Sequence, residues 1–103
     1  VTRQIELSGA SGARYRYSTL EENRFLPPQG ANYVIADLTD AGATVVYAGE
    51  TDNLANQSWQ GDLEKARRKF ANATLLTRLN VTRAVREAER MDLIDHYHPP
   101  LNG

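Results

Sequence analysis

The sequence predicts an α+β fold: a small three-stranded antiparallel central sheet flanked by helices, with an added N-terminal β-hairpin. Three observations carry this expectation. "NYVIADL" and "ATVVYAG" are rich in β-branched and aromatic residues, and the turn-forming "TDAG" joins them. "TLLTRLN" supplies a third strand after a stretch of helical pattern. A long helical run then extends from Thr82 to about His96, where Pro99 and Pro100 forbid continuation.

Taken in order, "QIEL" and "RYRY" alternate around "SGASGA", which predicts a hairpin with a loop longer than two residues. "RFLPPQG" is a breaker, and residues 1–29 form the hairpin extension and linker of a single domain whose core is 30–102. After the two central strands, Thr51 or Asp52 can cap a helix, because either side-chain oxygen accepts a free N–H of the first turn. Gly61 is expected to divide that helix in two. In its second piece Leu63, Ala66 and Phe70 share one face.

A chain of 103 residues with 41% hydrophobic and 24% charged residues fits one ordinary globular domain. The formal net charge of -1 neither advertises nor excludes nucleic acid, because a local patch matters more than a sum. The absence of cysteine removes disulfides and thiolate metal sites, and suits a reducing compartment, so the expected location is cytoplasmic. No apolar run approaches the roughly 18 residues of a membrane span, so no membrane contact is expected.

The stretches "ANYVI", "VVYAGETDNL" and "LIDHYHPPLN" together resemble the GIY-YIG nuclease superfamily, over about Gly30 to Asn102. The resemblance implies a metal-assisted attack of water on a DNA phosphodiester. A tyrosine, or a water it orients, serves as base, an arginine steadies the phosphate and a glutamate holds one divalent metal, Mg²⁺ or Mn²⁺. Such chemistry needs preorganised cations and donors around the transition-state charge. Tyr33 and Tyr47 match the two tyrosines, Gly49 the glycine that permits close approach, and Asn102 the terminal asparagine.

Two positions depart from the pattern. Gln57 stands where the arginine is expected, and losing one charged stabiliser of a transition state costs on the order of 3 kcal/mol. Lys65 and Arg67 on the next helix are the candidates to replace it. An ungapped match puts Arg90 at the metal position, where its charge would repel Mg²⁺. Of the neighbouring acids, Glu87 falls between Met91 and Ile94 on the apolar side and is preferred to Glu89. The candidate catalytic residues are thus Tyr33, Tyr47, Gln57, Glu87 and Asn102, with Glu87 as metal ligand. Gly49, Lys65, Arg67, Arg83, Arg86 and Arg90 are the candidate substrate contacts, the last three lying close together on the final helix.

Three functions are in view. The first is a GIY-YIG-like domain with lost or weakened catalysis, acting as a DNA- or protein-binding module. The second is an active Mg²⁺-dependent endonuclease with a rearranged site. The third is a protein-interaction module that uses the edge of its hairpin.

Overall fold

The computed structural model describes residues 3–19 and 26–102. Residues 20–25, most of the expected linker between hairpin and core, lie outside the described residues. The described residues form five strands: β1 (Gln4–Ser8), β2 (Arg14–Thr19), β3 (Ala31–Thr39), β4 (Gly42–Thr51) and β5 (Ala73–Leu79). Two helices accompany them, α1 (Gln60–Lys69) and α2 (Arg83–Tyr97), with a single 3-10 turn at Leu54–Asn56.

The expected three-stranded sheet is corrected here. All five strands form one antiparallel sheet in the order β1-β2-β5-β3-β4. The N-terminal hairpin is therefore part of the sheet. Ser18 and Thr19 of β2 pair with Thr77 and Leu76 of β5, whose outer edge would otherwise expose unpaired backbone groups. The alternation noticed in "RYRY" then works for the whole molecule, since Tyr17 turns fully into the core while Arg14 and Arg16 face out.

Side chains alternate across β3 and sort the core into two layers. Ala31, Tyr33 and Ile35 join Leu63 and Ala66 of α1, whereas Val34 and Ala36 join Leu93 of α2. The helices thus cover opposite faces of the sheet. Each layer also holds a residue of an outer strand: Val46 lies with α1, and Leu7 with α2.

The helix after β4 begins later than expected. β4 runs through Thr51, and Asn53 caps the 3-10 turn, its side-chain oxygen accepting from the Ala55 N–H at 3.0 Å. The break falls at Gln57, in a left-handed conformation (φ 54°, ψ 33°), and Gly61 lies inside α1. The final helix matches its expected span. It ends at His98, also left-handed, whose N–H donates to the Ile94 carbonyl.

Candidate functional site

β3 and β4 bring the two tyrosines together. Their register contains a bulge: Ile35 pairs with Tyr47 and Ala36 with Val45, leaving Val46 as the extra residue. Strict alternation would turn Tyr47 to the face opposite Val46. With the bulge, Val46 and Tyr47 both lie on the α1 face, and Val45 and Ala48 on the α2 face. The rings of Tyr33 and Tyr47 consequently stack, with centroids 6.0 Å apart and planes at 27°.

Gly49 lies beneath the Tyr33 ring. A Cβ at Gly49 would stand 2.5 Å from Cζ of Tyr33, so no side chain fits there. The Tyr33 hydroxyl donates to Asp62 in the first turn of α1 at 3.0 Å. Burial of the phenol first, and then its electrostatic interactions with neighbouring Tyr47 and Asp62, push its pKa well above its ordinary value. That direction opposes use as a base near neutral pH.

Asn102 reaches the neighbouring backbone. Its amide accepts from the Ala48 N–H at 2.8 Å and donates to the Ala48 carbonyl at 2.9 Å. Leu101 packs against the same apolar layer as Tyr47. Tyr33, Tyr47, Gly49 and Asn102 are therefore neighbours. Asp62 was not singled out from the sequence, although its place four residues before Ala66 puts it beside the buried stripe of α1.

The other candidates are elsewhere. Gln57 is exposed at its left-handed turn. Glu87 is exposed on α2, which covers the opposite face of the sheet, and pairs with Arg83 at 3.7 Å. Arg90, half-buried, has a guanidinium nitrogen 3.8 Å from the Met91 sulfur. Lys65 is exposed on α1, and Arg67 donates to the Ala73 carbonyl at 3.3 Å. Among the described residues no three acidic or imidazole side chains converge. The lone Glu87 carboxylate, already paired and remote from both phenols, does not fit the single-metal arrangement the resemblance implies.

Arg86 is the largest surprise on α2. It is 3% exposed, and its guanidinium donates to Glu50 (2.8 Å), Asp52 (2.6 Å) and the carbonyls of Asn80 and Val81 (both 3.0 Å). Buried Asn32 completes the junction: its side chain donates to the Arg86 carbonyl and accepts from Asn80. Gly30 makes room for it, since a Cβ there would meet the guanidinium at 2.2 Å. This network ties the start of α2 to the ends of β3 and β4.

Glu89 is also buried. It accepts from the Tyr17 hydroxyl and from Arg78, the latter at 3.1 Å. Comparison with known protein families, characterised proteins and solved structures gives no match. What the stacked-tyrosine face does must therefore be argued from its own chemistry.

That chemistry is limited in a definite way. The face carries two phenols, one of them held protonated by its surroundings, an acidic acceptor and a backbone-bound amide. The inner side of α1 packs on this layer through Leu63 and Ala66, and its outer side carries Lys65, Arg68 and Lys69, exposed at helical neighbour spacing. Tyr33 is only 5% exposed, so of the two phenols only Tyr47 is partly open to solvent, and anions would be attracted by the exposed cations of α1.

Proposed function

We propose that this chain is a divergent GIY-YIG-like domain that has lost phosphodiester cleavage and serves as a binding module for nucleic acid. The observation that carries the proposal is the division of the family-like residues between the two faces of the sheet. Tyr33, Tyr47, Gly49 and Asn102 lie together by the α1 face, while Glu87 belongs to the helix on the other. A hydrolytic site would require the acid and the phenols to share one phosphate. The upward shift of the Tyr33 pKa supports the same reading.

Nucleic acid is favoured over a protein partner by Lys65, Arg68 and Lys69, an exposed cationic stripe on the outer side of the helix that covers the tyrosines. Two members of the stripe have a local role too, because Arg68 and Lys69 in the last turn of α1 complement the helix dipole by about 0.3–1 kcal/mol each. The dipole leaves Lys65, outside the last turn, without such a role, and phosphates would use all three.

Retention of a DNA duplex should fall steeply with salt, and K65E/R68E/K69E should lose at least about tenfold in affinity. The double variant R83E/E87R, on the opposite face, should bind as the wild type does. Plasmid incubated with Mg²⁺ or Mn²⁺ should remain intact. Salt-independent retention would defeat nucleic-acid binding. Metal-dependent nicking abolished by both Tyr47→Phe and Glu87→Ala would defeat the loss of catalysis.

A further inference from the structure

The two edges of the sheet are finished differently. The β4 edge is covered at its middle: the Leu101 N–H donates to the Val46 carbonyl at 3.0 Å, and the Asn102 amide engages both backbone groups of Ala48. A side-chain amide there imitates one residue of a further strand.

The β1 edge is only partly covered. The Thr19 N–H donates to the Arg3 carbonyl and the Gly9 N–H to the Ala13 carbonyl. Antiparallel pairs alternate, so Ile5 and Leu7 bond inward to β2, while Gln4, Glu6 and Ser8 turn their backbone groups outward. The Tyr97 hydroxyl accepts from the Ser8 N–H at 3.0 Å. Among the described residues, the outward groups of Gln4 and Glu6 have no such partner.

We infer that β1 of a second copy completes this edge, antiparallel and two-fold symmetric, with Ile5 facing Ile5 of the other copy. The choice of register follows from the groups present. Centring the pair on Glu6 would set like charges directly opposite and would call on the Ser8 N–H, which Tyr97 already holds. Centring it on Ile5 sets Gln4 opposite Glu6 twice and uses every outward group of both residues, giving about four backbone hydrogen bonds.

The same register extends the α2-side core. Ile5 packs at its margin and is half-buried, so a second Ile5 across the edge covers apolar surface that one copy leaves open. The contact is small beside the roughly 1,200 Å² of a stable interface, so the association is weak and concentration-dependent.

Sedimentation from micromolar to millimolar protein should show the average mass rising toward twice the monomer. Glu6→Pro removes one outward N–H while keeping an edge-strand conformation, and should leave a monomer with an unchanged unfolding midpoint. A second measurement uses the chain's lack of cysteine. Ile5→Cys faces itself across a non-hydrogen-bonded pair at about 4.5 Å between Cα atoms, within disulfide reach. It should cross-link at least about tenfold faster than Gln4→Cys, which faces Glu6. A monomer at every concentration, association that survives Glu6→Pro, or equal cross-linking of the two cysteine variants would each overturn the pairing. A monomeric result would leave this edge to a strand of a different protein.

Discussion

Arg86 turns its whole guanidinium inward, to two carboxylates and two carbonyls. Replacing it with methionine leaves Glu50, Asp52 and the carbonyls of Asn80 and Val81 without their donor. Glu50 is mostly shielded while Asp52 is exposed, so the cost belongs at the low end for a broken buried pair, about 3 kcal/mol. Arg83→Ala, which breaks only an exposed helix pair, should cost about 0.5 kcal/mol or less. Urea unfolding of the two variants checks both figures, and equal losses would contradict the assigned roles. Charge alone had made Arg83, Arg86 and Arg90 look equivalent. Nothing in the sequence says that Glu50 and Asp52, on another element, converge on the middle one. Gln57 was misplaced for a related reason: the polar run after Leu54 forms a 3-10 turn with a left-handed end, and hydropathy is blind to that backbone choice.

Among elements, α2 shows where periodicity misleads. Its buried side is Arg86, Glu89 and Leu93, with Arg90 and Tyr97 half-buried, a regular helical stripe whose first turns carry charges. Reading apolar residues alone made Met91 part of the face, yet Met91 is 48% exposed. The same step puts Glu87 on the buried side, whereas it is exposed and paired with Arg83. The hairpin loop docks on this helix through Asp92, which accepts from the Ser11 N–H, the Ser11 hydroxyl and the Tyr15 hydroxyl at 2.7–2.8 Å. Gly9 permits that approach, because a Cβ there would stand 1.8 Å from the Asp92 carboxylate. Burial first, then the Asp92 bond, pushes the Tyr15 phenol up to about 12. A folded pKa above the unfolded value of about 10 contributes fully below pH 10 and is lost as the pH rises toward 12. Asp92 runs the other way. Ser11 first, then Tyr15, hold its carboxyl below the usual range, so its contribution is full above about pH 4 and disappears on acidification. Thermal midpoints measured against pH should fall on both flanks. Tyr15→Phe should make the alkaline limb shallower, the rest belonging to Tyr17 and Tyr33, whose phenols are also pushed up, and Asp92→Asn should flatten the acid limb. Unchanged limbs would mean that the loop does not dock through this pair.

For the whole molecule, the legible part was the order of elements. Strands read from alternation and turn chemistry, and the last helix with its proline stop, all stand near their expected positions. The sheet's width was not legible, because pairing of β2 with β5 joins residues 58 or so apart and leaves no local mark in either strand. The bulge at Val46 was hidden as well, although it determines that Tyr47 shares a face with Tyr33. Layering then separates the two halves of the family-like residue set: phenols with α1, the exposed acid with α2. On the proposed reading these halves do not meet at one cation. Titration with Mn²⁺, followed by paramagnetic broadening of the Tyr33, Tyr47 and Glu87 resonances, tests it most directly. No site should broaden the tyrosines and Glu87 together. Saturable broadening of all three with a single equivalent of metal would contradict it.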